Sequence, residues 1–194
     1  GLSDGEERRA NVRDAYRCIR PERVAGRRFL LVDDGSKDKT WELITGFCRE
    51  NVYCSGLKLA HNRGHQNALL AGLLAAKDKA DCAISLDADL QDDIEVLDQF
   101  VDKFHEGCDV VYGVRNKRDT DSFFKRSTAR GFYKVMHILG VDVVYDHADY
   151  RLMSRRALDA LSEYHEVNLF LRGIVPLIGF QSGVVTDERH ERFA

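Results

Sequence analysis

The apolar run at residues 82–86 passes straight into Asp87, Asp89, Gln91, Asp92 and Asp93. The run has aliphatic and β-branched residues and no helical period, so it reads as a buried strand. Two earlier stretches follow the same plan. A strand over residues 29–32 runs into Asp33-Asp34-Gly35-Ser36, and one over 55–59 runs into the polar stretch from His61 to Asn67. A helical pattern follows each cluster. The first carries Trp41, Ile44, Phe47 and Cys48 on one face, with Ser36 or Asp38 as its cap. The second is rich in Ala and Leu to about Ala76, with Ala68, Gly72 and Ala75 permitting close packing. The third, over 93–106, carries Leu97, Phe100, Val101 and Phe104. Strand and helix alternating through short connections predict an α/β fold with a mainly parallel sheet covered on both faces. Ligands of such sheets bind beyond the carboxyl ends of the strands, where all three polar clusters fall.

Carboxylates as dense as those from Asp87 to Asp93 repel one another unless a cation sits among them. Oxygen donors select a hard ion, Mg²⁺ or Mn²⁺, of the kind that bridges protein carboxylates to substrate phosphates. A plainer account of Asp92 and Asp93 is a cap on the next helix, and of Asp33 and Asp34 an ordinary turn. None of the seven histidines forms a pair with convincing metal-ligand spacing.

A chain of 194 residues that is 44% hydrophobic can bury a core and fits a single domain, residues 1–194. Its net charge of −3 argues against a general nucleic-acid binder. The charge is unevenly spread: residues 115–134 hold seven basic side chains against Asp119 and Asp121. With Phe123 and Phe124 beside them, these bases predict an anion-attracting face suited to a membrane surface. Five cysteines without CxxC spacing read as reduced core residues of a cytosolic domain. The missing initial methionine, and the lack of a closing element after Phe193-Ala194, predict a segment of a longer chain.

The remaining pattern predicts a helix over 4–20 ended by Pro21, a strand over 108–114 and a helix over 122–139. A loop or short strand over 141–146 leads into His147-Ala-Asp149-Tyr150-Arg151-Leu-Met153. Ser154 then caps a helix to about Tyr164. An apolar helix over 169–178, interrupted at Pro176, and a strand over 181–186 complete the reading.

In order and approximate spacing, Asp33-Asp34-Gly35-Ser36, Asn62-x-Gly64 with Ala68, and Asp87-Ala-Asp89-Leu-Gln91-Asp92 resemble the inverting family 2 glycosyltransferases. These have the A-type, Rossmann-like nucleotide-diphospho-sugar transferase fold. Val111-Tyr112-Gly113-x-Arg115, Asp149-Tyr-Arg151-Leu-Met153 and Phe170-Leu-Arg172-Gly173 are similar to a narrower group. That group moves a sugar from a UDP- or GDP-linked donor to a polyprenyl phosphate at the cytoplasmic face of a membrane. The resemblance implies donor-nucleotide contacts from Asp33, Asp34, Gly35, Ser36, Asn62, Gly64, Asn67 and Asp87. It implies a metal, Mg²⁺ or Mn²⁺, near Asp89 and Gln91, and a catalytic pair in Asp149 and Arg151. Arg115, Arg118, Arg126 and Arg172 are the candidate contacts to the acceptor phosphate, and a homo-oligomer is possible. Two departures stand out. The family's first strand with its nucleotide loop is missing, with Ser3 to Glu7 at best its remnant, and His61 stands where relatives often carry arginine. A non-catalytic nucleotide-sugar-binding relic and a nucleotidyltransferase are the alternative readings. A carboxylate paired with Arg151 in a loop is the plainer account of Asp149.

Overall fold

A computed structural model describes residues 26–88, 91–115, 147–164 and 171–187. The helices expected over 4–20 and 122–139, and the stretch 141–146, lie outside the described residues. So do Asp89, Arg118 and Arg126.

The first described elements are strand β1 (Phe29–Asp33), helix α1 (Thr40–Glu50), strand β2 (Cys54–Lys58) and helix α2 (His65–Lys77). Strands β1 and β2 pair in parallel, from Phe29 opposite Cys54 to Asp33 opposite Lys58. Small residues set how closely the helices approach. A Cβ on Gly56 would come within 2.8 Å of Ile44 on α1, and one on Gly72 within 2.8 Å of Val32 on β1. The expected close packing of α2 on a strand is therefore realised at Gly72. Neither expected cap holds: the N-cap of α1 is Lys39, without a side-chain cap bond, and Asp38, one residue earlier, accepts from the Thr40 amide at 2.9 Å.

Strand β3 (Cys82–Ser85) leads through a 3₁₀ turn (Ile94–Val96) into helix α3 (Leu97–His105) and strand β4 (Val110–Arg115). Asp93 caps the turn by accepting from the Glu95 amide, which bears out the plainer account of that residue. Strand β5 (His147–Ser154), helix α4 (Arg155–Ser162), helix α5 (Leu171–Leu177) and strand β6 (Ser182–Asp187) follow. Ser154 caps α4 as expected, accepting from the Ala157 amide at 3.1 Å.

The α/β class holds, and the larger sheet is mixed. Its order is β3-β5-β4-β6, with β5 antiparallel to both neighbours and β6 parallel to β4. Periodicity does not reveal β5, because Asp149 and Arg151 interrupt what a central strand would otherwise show as an apolar run. Its residues alternate between two cores. Met153 joins Val110 and Tyr112 against α2, α4 and α5, while Tyr150 and Leu152 join Val111 and Phe100 against α3. The four described cysteines are free thiols. Among the described residues, no helix is long and apolar enough to cross a membrane.

Candidate active site

Strand register brings the acidic residues together. Ser85 on β3 lies opposite Arg151 on β5, and just beyond that pair His65 Nε2 reaches both Asp87, at 3.7 Å, and Asp149, at 2.9 Å. Because β5 runs backwards, its early residues share an edge with the carboxyl ends of β3 and β4, while β1 and β2 form a separate two-stranded sheet. The Ser85 hydroxyl locks this crossing by donating to the Asp149 carbonyl at 2.5 Å.

Asp149 is the centre of the cluster, with only 4% of its side chain exposed. Its Oδ1 accepts from Arg151 at 2.8 Å and from Arg172 Nε at 3.3 Å. Its Oδ2 accepts from Arg172 at 3.2 Å and Gln66 Nε2 at 3.1 Å, and pairs with His65 Nε2 at 2.9 Å. Burial alone would raise the carboxyl's pKa. The hydrogen bonds from Arg172 and His65, and the charges of Arg172 and Arg151, outweigh it and hold the value down at about 2. Asp149 is therefore a fixed anion, and its lone pairs are taken.

The two arginines differ in exposure. Arg151 is fully buried and also donates to the Leu171 carbonyl at 3.4 Å. Arg172, at the start of α5, grips Asp149 with two nitrogens while 45% of its side chain stays exposed. His65 Nε2 lies 3.7 Å from Asp87, so the imidazole stands between the two carboxylates.

A second group gathers at the ends of β1 and β2. Gly35 has a φ of 66°, and a Cβ there would sit 2.4 Å from the His61 carbonyl carbon, so only glycine lets the two loops touch. Asp34 ties them, its two oxygens accepting from the amides of Arg63 at 2.7 Å and Gly64 at 2.8 Å. Asn62 also accepts from the Gly64 amide, and Asn67 donates to the Arg63 carbonyl. Asp33 is buried, accepts from the Ser36 amide at 3.0 Å and lies 3.6 Å from Lys58. Both aspartates thus also do the work of a turn.

The sequence-predicted residues therefore fall into two groups linked by the opening of α2, where Gly64 meets Asp34 and His65 meets Asp149. Asp33, Asp34, Gly35, Ser36, Asn62, Gly64 and Asn67 build the loop pair, while Asp87, Asp149, Arg151 and Arg172 form the charged cluster. Arg115 ends β4 on the same edge, and Gln91 follows in the loop after β3. Asp87 and Gln91 supply oxygen donors suited to a hard cation, although no group of three or more metal-binding side chains forms among the described residues. Sequence reasoning missed His65 and Gln66 as members of the cluster. Their signal was three adjacent polar side chains, His65-Gln66-Asn67, opening a helix otherwise rich in Ala and Leu.

Residues 10–162 match the family model described as glycosyl transferase family 2. The chain is 60% identical over 167 residues to the uncharacterized glycosyltransferase YkoT of Bacillus subtilis (strain 168), covering 86% of this chain and 50% of that protein. It is 37% identical over 166 residues to the bactoprenol glucosyl transferase of Shigella phage SfV, covering 85% and 53%. It is 34% identical over 165 residues to the uncharacterized glycosyltransferase sll0501 of Synechocystis sp., covering 84% and 51%. The chain spans about half the length of these curated relatives.

Proposed function

Because the chain belongs to glycosyl transferase family 2, we propose that the full protein moves a hexosyl group from a nucleotide-sugar to a polyprenyl phosphate, with inversion at the anomeric carbon. The observation that carries this reading is the Asp149 cluster, in which two arginines flank one carboxylate and His65 stands between it and Asp87. Family membership sets aside a nucleotidyltransferase. The bactoprenol glucosyl transferase similarity favours a lipid phosphate as acceptor and a glucosyl group as cargo.

In this reading the donor's nucleoside lies along the loop pair of Asp33 to Ser36 and Asn62 to Asn67, with its diphosphate toward Asp87. Asp89 and Gln91 would hold Mg²⁺ or Mn²⁺, whose charge would stabilise the departing diphosphate. Arg172, partly exposed and already fixed by Asp149, receives the acceptor phosphate with help from Arg115, Arg118 and Arg126. Arginine suits this task because its planar fork grips a phosphate at two points. One bond forms between a phosphate oxygen and the anomeric carbon, while the bond from that carbon to the diphosphate breaks. A phosphate monoester with a second pKa of about 6 is mostly ionised at neutral pH, so no protein base need take a proton from it. Asp149, held at a pKa of about 2 with its oxygens occupied, fits the work of orienting cations better than proton abstraction.

The test is direct. The full-length protein is incubated with UDP-glucose or GDP-mannose, undecaprenyl phosphate and Mg²⁺ or Mn²⁺, and the extracted lipid is weighed by mass spectrometry. Gain of one hexose, lost when EDTA is added, is the expected result. No modified lipid with either donor, or a lipid carrying nucleotide, would count against the reading.

A further inference from the structure

We infer that Gln66 is a positioning residue that sets where Arg172 stands, by clamping the first residue of α5 to Asp149. Gln66 is the second residue of α2, next to His65 and distant in sequence from Asp149, Arg151 and Arg172. Its side-chain Nε2 donates to Asp149 Oδ2 at 3.1 Å, and its Oε1 accepts from the Leu171 amide at 3.3 Å. Leu171 is the first described residue of α5, and its amide is held by this side chain rather than by solvent. The Leu171 carbonyl, in turn, accepts from Arg151 NH1 at 3.4 Å, and Arg151 donates to Asp149 at 2.8 Å. These bonds close a ring: Asp149 to Gln66, Gln66 to Leu171, Leu171 to Arg151, and Arg151 back to Asp149.

Leu171 itself is fully buried, so the ring fixes a backbone point with no freedom toward solvent. Arg172 is the next residue and reaches the same carboxylate from that point. Few side chains could replace Gln66. The position requires a donor toward a carboxylate and an acceptor toward an amide on one short planar group, which a carboxamide supplies. Glutamate keeps the acceptor but sets a second negative charge against Asp149, and leucine keeps only the shape.

The structural consequence stands whatever the reaction. The kinetic one rests on the transfer to a lipid phosphate proposed above. Full-length parent, Gln66→Leu and Gln66→Glu proteins are compared by hydrogen exchange and by transfer kinetics with UDP-glucose and undecaprenyl phosphate. In Gln66→Leu the amides of α5 should exchange roughly fivefold faster, as expected for one lost hydrogen bond at a helix end, with those of β4 and β5 unchanged. In Gln66→Glu they should stay protected, because the Leu171 bond survives. KM for undecaprenyl phosphate should rise in both variants while KM for UDP-glucose holds. Unchanged α5 exchange in Gln66→Leu, or loosened α5 in Gln66→Glu, would overturn the clamp. A parallel rise of both KM values would overturn the positioning of Arg172. Should neither parent nor variant transfer glucose, the functional reading is what fails, and the exchange data still decide the clamp.

Discussion

Asp149 has its two oxygens occupied by donors from α2, β5 and α5, and that occupancy has a consequence for stability. Its pKa of about 2 lies below the ordinary 3.8. A carboxyl depressed in this way stabilises the fold above about pH 4, and the contribution fades as pH falls toward 2. A gap of that size corresponds to about 2 kcal/mol. Asp149→Asn should therefore cost roughly 3–5 kcal/mol at pH 7, because Arg151 stays buried without its counter-charge. The deficit should shrink by about 2 kcal/mol between pH 4 and pH 2, where the parent loses its own carboxylate. Urea unfolding of both proteins across that range checks this, and a pH-independent difference would contradict it. Kinetically, Asp149→Asn should lower turnover at least about tenfold, equivalent to about 1.4 kcal/mol, with donor KM little changed. A change confined to KM would place Asp149 in binding alone.

The loops after β1 and β2 act as one element, joined by Asp34 and by a contact that only a residue without a side chain permits at Gly35. Gly35→Ala should destabilise the protein by roughly 1–3 kcal/mol, since the left-handed backbone and the 2.4 Å approach both resist a methyl group. Nucleotide binding measured by calorimetry should weaken in the same variant. Unchanged stability and affinity would show that the loops have room to separate. These loops, their strands and the helices between them were legible in the sequence, because each is a local pattern of apolar run, turn residues and amphipathic period. Strand β5 was not. Its Asp149 and Arg151 are tolerated in the interior because they pair with each other and with four further partners, and that partnership is assembled by register with β3 across a long sequence separation. The same long-range assembly explains why His65 and Gln66 were missed. Nothing at the opening of α2 foretells that β5 and α5 will meet it.

At the scale of the whole molecule, the edge formed by β3, β4 and β5 brings the Asp149 cluster beside Arg115 at the end of β4. The basic stretch 115–134 contrasts with a chain of net charge −3, and near an anionic surface each base contributes on the order of 1 kcal/mol. The full-length protein reconstituted in nanodiscs should gain acceptor affinity from anionic lipid at low salt. Replacing Arg115, Arg118 and Arg126 with Gln should remove that gain, and an equal gain in the variant would reduce the stretch to a solvated face. The central claim is that Asp149 arranges cations around an acceptor that is already ionised. The most direct measurement is the pH dependence of sugar transfer to undecaprenyl phosphate from pH 5 to pH 8, for the parent and for the residual activity of Asp149→Asn. The account predicts that both rates fall on the acid side with an apparent pKa of about 6, that of the phosphate itself. An acid limb that vanishes or moves in Asp149→Asn, or undecaprenol serving as well as its phosphate, would contradict it.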